Sequence, residues 1–313
     1  AQIQYGGAST LFGSGNATGS LHMADILRFN RGGSCEISSY AGSSNNYIQS
    51  VKVGISKKKW VSSLKLFGQY NKNNFRFLNT EKDIDPTEGI KHPVEQLEHG
   101  GYNQYGISQS NKYIVGENSW IGTDIWFLDY YKDIPSLMGD YEPGESSQND
   151  RNIMYSAYYK YAKRKLQFKF QTGGFYNQIV YENPEINLSN NNHSFTLVNI
   201  AEFTSTLLNK FDIGLIVEQK HEKAQSGSYE NTATRNILSP ILSVRYHSIP
   251  FTASVNVRQE LVDGSLIPIV FSGGIDLLIV HGFSFKSQIS KNYSLPTMND
   301  LYWYYDGVSE GNP

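Results

Sequence analysis

Several residue sets in this chain have types and spacings that invite chemistry. "GVSEG" at 307–311 satisfies G-x-S-x-G. A nucleophile elbow needs an apolar strand before the serine and a helix after it. Here "YWYYD" precedes and "NP" follows, so the match is chance. No histidine with Ser or Asp partners on adjacent strands stands out, and no enzyme is expected. His92 and His99 fall in one connection, but their separation is not a recognised ligand spacing and no cysteine accompanies them. "EKDIDPTEG" gathers Glu81, Asp83, Asp85 and Glu88. Alternate carboxylates offer hard oxygen ligands of the kind calcium takes. The spacing matches no EF-hand, and solvated loop acids are the plain alternative. Finally, "ASTLFGSGNATGSLHM" at 8–23 brings Gly13, Gly15 and Gly19 together. As a dinucleotide fingerprint its third glycine is one residue late, and no Lys-Ser/Thr pair follows. A glycine-rich turn between two short strands is expected, with Leu21, Met23, Ile26 and Leu27 on the second.

The totals bound what such residues belong to. The chain has 313 residues and a formal net charge of −2, which excludes the basic footprint of a nucleic-acid binder. A lone Cys35 excludes an internal disulfide framework or thiolate zinc site. The longest apolar runs, such as "LLIV" at 277–280, are far too short to cross a bilayer as a helix. Aromatics stand out, with 22 Tyr, 16 Phe and 4 Trp, and they favour strands. Ala1 opens the chain without a basic or apolar leader, which fits a removed signal or an internal piece of something longer.

Period-2 alternation recurs from about residue 34. Val51, Val53 and Ile55 alternate with Lys52 and Gly54; Leu166, Phe168 and Phe170 with Gln167, Lys169 and Gln171. Phe211, Ile213, Leu215 and Val217 oppose Asp212, Gly214 and Glu218, and the same holds over 251–258 and 283–289. Alternation alone does not say which face is inside. A sandwich turns the apolar face inward, whereas an outer-membrane barrel turns it to lipid. Strand and connection lengths decide. Strands of roughly ten residues suit a tilted bilayer crossing. Tight turns are expected near Lys57–Lys59, Asn111–Lys112, Ala162–Lys165, Leu208–Lys210 and His247–Ile249. Longer loops are expected at 71–98, 131–150, 182–192, 221–232 and 292–313. Short turns at one end and long loops at the other is a barrel habit. Trp60, Trp126, Tyr130, Tyr131, Tyr158 and Tyr161 are read as strand-end girdle residues. A soluble glycan-binding β-protein is the rival from another class. About 13 strands are expected between Ser34 and Ser290. An odd number, with an open edge in lipid, implies a barrel that is not complete within this chain.

Two stretches resemble one family. "IQYGGASTLFGSGNATGSLHM" looks like the end of the plug of TonB-dependent outer-membrane receptors, through Tyr5, Gly6, Leu11, Phe12, Gly13, Ser14, Gly15 and Gly19. "SKNYSLPTMNDLYW" at 290–303, with "GNP" at 311–313, resembles a far outer-loop segment of the same family, especially the vitamin B12 and siderophore receptors of Bacteroidetes-like bacteria. The resemblance implies an all-β, 22-stranded, plugged transmembrane barrel with about its first 13 strands present. Residues 1–33 would be the plug's end and 34–313 the first part of the barrel. It also implies that the TonB-coupling segment, most of the plug and about nine strands lie outside this chain.

A receptor of this kind binds and imports a scarce nutrient across the outer membrane of a Gram-negative bacterium. Cobalamin is the expected cargo, with a ferric siderophore or other metal chelate as alternative, and an outer-membrane barrel enzyme further behind. Partners would be TonB, outer-membrane lipid and a surface lipoprotein; calcium is the one candidate ion. Ligand contacts are expected from Asn299, Asp300, Tyr302, Trp303, Tyr304 and Tyr305. The alternative for Asn299 and Asp300 is capping a turn after Pro296. Phe75 in "NNFRFLN", and Tyr130, Tyr131, Met138 and Tyr141 in the third loop, are further candidates.

Overall fold

β-Branched and aromatic residues on alternate positions build long extended segments here, because each strand can bury or wet one whole face at a time. In the computed structural model, residues 2–5, 19–22, 29–82, 92–140, 142, 144–280, 282–305 and 309–310 are described. Two short strands, β1 (Gln2–Tyr5) and β2 (Gly19–His22), pair only with each other among the described residues. The large sheet then begins with β3 (Gly32–Gly42), β4 (Asn46–Ser56) and β5 (Trp60–Asn71). A small hairpin, β6 (Arg76–Leu78) and β7 (Val94–Gln96), interrupts it. Next come β8 (Tyr102–Gly116), β9 (Ser119–Ile134), β10 (Ser146–Lys163), β11 (Leu166–Asn183), β12 (Leu188–Leu207), β13 (Phe211–Gln225), β14 (Ala233–Ser248) and β15 (Phe251–Arg258). A minor hairpin, β16 (Leu261–Val262) and β17 (Ser265–Leu266), leans on β14, and the sheet ends with β18 (Val270–Val280) and β19 (Phe283–Lys291). A short helix α1 (Met298–Tyr302) and the pair β20 (Tyr304–Tyr305) and β21 (Ser309–Glu310) follow.

Thirteen strands therefore run side by side, each antiparallel to the next in chain order, from β3 at one edge to β19 at the other. The sheet is open at those two edges among the described residues. That simple meander places every second connection at the same end. One end carries tight turns at Lys57–Lys59, Glu117–Asn118, Arg164–Lys165, Leu208–Lys210 and Ile249–Pro250; the other carries the loops.

The register settles which face is which. Asp212, Gly214, Glu218 and Lys220 of β13 line a concave cavity of about 1230 Å³ together with Lys169, Gln171, Ser243, Arg245, Asn256 and Arg258. The apolar set, including Val51, Ile55, Leu215, Val217 and Val255, stands exposed on the convex side. This is the reverse of a water-soluble sandwich and the arrangement of a barrel wall in lipid. Aromatics edge the convex face beside the tight turns, where Phe211 lies 5.0 Å from Tyr246 and Tyr246 6.1 Å from Phe251, ring centre to ring centre.

Three expectations need correction. The expected turn at Asn111–Lys112 is strand: β8 runs on to Gly116 and turns at Glu117–Asn118. Polar side chains misled there, because Asn111 is held on the sheet by donating to Thr123 Oγ1 at 3.3 Å. The expected loops at 182–192 and 221–232 are mostly strand. A single 3-10 turn at Pro184–Ile186 joins β11 to β12, and β13 continues to Gln225. Strands of 18 and 20 residues there are well beyond the roughly ten that a tilted bilayer crossing requires. Trp126, Tyr130 and Tyr158 are not lipid-facing girdle residues. Their parity puts them on the concave face, with Trp126 paired to Met154 in mid-strand.

Candidate functional site

At the loop end, two long-range clusters interlock. In the first, Pro296 stops the extended chain after β19 and Thr297 caps α1. The Thr297 hydroxyl accepts from the Asp300 N–H at 3.2 Å, and the Asp300 carboxylate accepts from the Thr297 N–H at 2.7 Å. These bonds from Thr297 hold the Asp300 carboxyl below its usual range. Asn299 accepts from the Tyr229 hydroxyl, and the Tyr229 ring stands 6.2 Å from that of Tyr302. Burial pushes the Tyr229 phenol upward. The Tyr304 N–H donates to Ser228 O at 2.8 Å, and Arg235 donates to Pro296 O at 2.8 Å. The connection between β13 and β14 thus buttresses the segment after β19.

This sorts the six candidates of that segment. Asp300 is engaged in the cap, and Asn299 and Tyr302 in the contact with Tyr229. Trp303 and Tyr304 remain 41% and 37% exposed, so they present aromatic surface at the rim. The side chain of Tyr305 lies outside the described residues.

The second cluster ties the β6–β7 hairpin to the loop after β9. Asn79 is 1% exposed, and its amide donates to Glu95 Oε2 and to Met138 O, both at 2.7 Å. Its side-chain oxygen accepts from the Glu81 N–H at 3.0 Å. Hydrogen bonding from Asn79 holds the Glu95 carboxyl below its ordinary value; partial burial opposes this, and Lys82 at 3.3 Å adds to it. Phe75 and Met138 are exposed beside this knot, Phe75 edge-on to Phe77. Tyr131 lines a second cleft of about 460 Å³ with Tyr70, Lys72, His99, Tyr102 and Asp133. Tyr130 faces the other way and packs against Tyr102 at 5.8 Å, and Tyr141 lies outside the described residues.

Of the four calcium candidates, only Glu81 falls among the described residues, and it is exposed. Asp83, Asp85 and Glu88 lie outside them. Among the described residues, no three His, Cys, Asp or Glu side chains group as a metal site. His92 and His99 bond to different segments, His92 to Lys82 O at 3.1 Å and His99 to Ser146 O at 2.8 Å, so they form no pair.

Within the cavity, sequence reading missed the most buried charges. Arg258 is 1% exposed and donates to Glu260 Oε1 and Glu218 Oε1, each at 2.7 Å, and to Ser239 Oγ at 2.9 Å. Glu260 is 3% and Ser239 0% exposed. Two carboxylates thus share one guanidinium inside a polar cavity. The only local hint was a charge at the inward-facing end of an alternating strand.

No protein-family model and no curated protein sequence matches the chain. Solved structures do. The chain resembles the FrpB iron transporter of Neisseria meningitidis with a TM-score of 0.75 and 10% identity, over 96% of this chain and 52% of that one. It resembles the copper transporter OprC with a TM-score of 0.71 and 9% identity, over 96% and 51% of the two chains. For the siderophore receptor PiuA of Acinetobacter baumannii the figures are 0.63, 12%, 93% and 50%. At such identities the likeness shows the fold, the wall of a large β-barrel. The chain spans about half the length of these matched structures.

Proposed function

We propose that this chain belongs to a TonB-dependent outer-membrane receptor, one that captures a metal-bearing chelate at its loop end and passes it inward. It is a transporter and not an enzyme. The observation that carries this reading is the sorting of the sheet: apolar residues outward, a charged concave face inward, and interlocked aromatic loops at one end only. That all three named neighbours carry iron, a siderophore or copper supports metal-linked cargo.

Cobalamin is the cargo favoured by the resemblance of residues 290–303, and a ferric siderophore fits the neighbours equally well. The loop end carries Glu81, Glu95, Asp133, Asp140, Glu142, Glu145, Glu182, Glu185 and Glu230 against Lys72, Arg76, Lys82, Lys132, Lys223 and Lys291, a modest acidic excess that leans mildly against a multiply anionic chelate. Trp303, Tyr304, Phe75, Met138 and Tyr131 are the side chains assigned to cargo contact. Calcium at Glu81, Asp83, Asp85 and Glu88 belongs to the same proposal, as an ion that orders the loop. TonB and a surface lipoprotein are the expected protein partners.

The test is equilibrium binding of cyanocobalamin, ferric enterobactin and copper to the full-length protein in detergent, with calcium or with a chelator of it. Tight one-to-one binding of one cargo supports the reading, and a calcium dependence supports the ion site. No binding of any of them at micromolar concentration counts against metal-linked cargo.

A further inference from the structure

The tight-turn end of the sheet is strongly basic. The β4–β5 turn is Lys57, Lys58 and Lys59; the β10–β11 turn is Lys163, Arg164 and Lys165; the β12–β13 turn adds Lys210, and Arg31 precedes β3. All eight side chains are exposed. Among the described residues none of them is ion-paired to a carboxylate, whereas Lys82, Lys220, Arg235 and Arg258, away from these turns, are paired. Among the described turn residues at this end, Glu117 is the one acid, and the nearby Asp212 is engaged by His247 at 3.5 Å. Strand spacing puts neighbouring turns about 10 Å apart along the rim, so the two triple-basic turns stand about 20 Å from each other.

The convex face beside these turns is aromatic. Trp60 is the first residue of β5, and Tyr159, Tyr161, Phe168 and Phe170 flank the Lys163–Lys165 turn, with Tyr159 6.5 Å from Phe168. Tyrosine and tryptophan on a lipid-facing strand end mark headgroup depth. The lysines and arginine therefore sit where the phosphates of the nearer leaflet lie. Clustered Lys and Arg at that depth attract anionic headgroups strongly enough to select them.

We infer that the basic turns 57–59 and 163–165, together with the aromatic edge above them, form a binding site for the headgroups of anionic phospholipids in the leaflet at the tight-turn end. This rests on the barrel reading of the proposed function and not on the identity of the cargo. A soluble acidic protein is the competing occupant. It would have no use for the lipid-facing Trp60, Tyr159 and Tyr161 beside the charges.

The experiment is native mass spectrometry of the full-length protein in detergent, titrated with phosphatidylglycerol or phosphatidylethanolamine of matched acyl chains. Wild type should retain phosphatidylglycerol preferentially. Substituting Lys57→Gln, Lys58→Gln, Lys59→Gln, Lys163→Gln, Arg164→Gln and Lys165→Gln together should lower that preference by about tenfold, as expected for losing a few headgroup contacts. Each triple alone should give a partial loss, which keeps the test usable where the sixfold variant does not fold. Lys223→Gln with Lys291→Gln, at the loop end, should leave the preference intact. The inference is overturned where wild type shows no preference, where the turn variants keep it, or where the loop-end control loses it equally. Cargo binding is not read in this experiment, so failure of the transport reading leaves its result separate.

Discussion

Replacing Arg258 by methionine should be among the most damaging single changes to this sheet. The substitution keeps much of the stem volume and removes the guanidinium that Glu218, Glu260 and Ser239 all address. Three charge-assisted hydrogen bonds disappear, the two to carboxylates worth about 1.5–3 kcal/mol net each. Glu218 and Glu260 are 8% and 3% exposed, so their carboxylates stay out of water without a counter-charge. At an effective dielectric near 20, the repulsion of two carboxylates left facing one site is of the order of a few kcal/mol. Relaxation and water entry recover part of this, and measured losses on breaking buried pairs run about 3–5 kcal/mol. That is the expected loss for Arg258→Met, read as the shift of the urea midpoint of the full-length protein in detergent, with the slope unchanged. A triple variant carrying Arg258→Met, Glu218→Gln and Glu260→Gln should recover more than half of it, because no charge is then stranded. A loss below about 1 kcal/mol, or a triple variant no better than the single one, would refute the reasoning.

Three further outcomes follow from the loop end. Trp303→Ala combined with Tyr304→Ala should weaken cargo binding about tenfold or more while leaving the urea midpoint unchanged; titration calorimetry reads both constants of the comparison. Asn79→Ala removes the donor to Met138 O and leaves the Glu95 carboxylate to Lys82 alone, and should cost roughly 1–3 kcal/mol locally, seen as faster proteolysis between residues 72 and 101. Asp300→Ala should loosen the first turn of α1. Because the Asp300 carboxyl is held below its usual range, its contribution is full above the unfolded value near 3.9 and is lost as pH falls through the lower folded value. Hydrogen exchange over residues 297–303, corrected for intrinsic rates, should therefore quicken on acidification in wild type and be insensitive in the alanine variant.

Capping by Asp300 after Pro296 was legible in the sequence because it is local; the structure makes Thr297, three residues back, its partner and leaves Asn299 out of the cap. The competing expectation for Asp300 is cargo contact, and its carboxylate is already engaged by the Thr297 N–H. Asn299 was equally visible as a polar loop residue, yet its partner Tyr229 lies 70 positions away, and nothing local announces that contact. Asn79 and Met138, 59 positions apart, are the same case. The misplaced turn at Asn111–Lys112 shows the opposite failure. Polarity there reads locally as a loop, while cross-strand bonding to Thr123 keeps the segment extended.

By itself the sequence determined that this is an array of long strands with one apolar and one polar face, because side-chain alternation is a property of the extended backbone with a period of two. It also placed the tight turns rich in lysine and arginine. Alternation left open which face is concave, since either curvature satisfies it; strand and connection lengths pointed to a polar interior, and the tertiary structure fixed it. The tertiary structure alone brought Arg258 to Glu218, 40 positions away, and the connection between β13 and β14 onto the segment after β19. Those choices depend on the register between strands and the bending of the whole sheet, and no window of neighbouring residues encodes either.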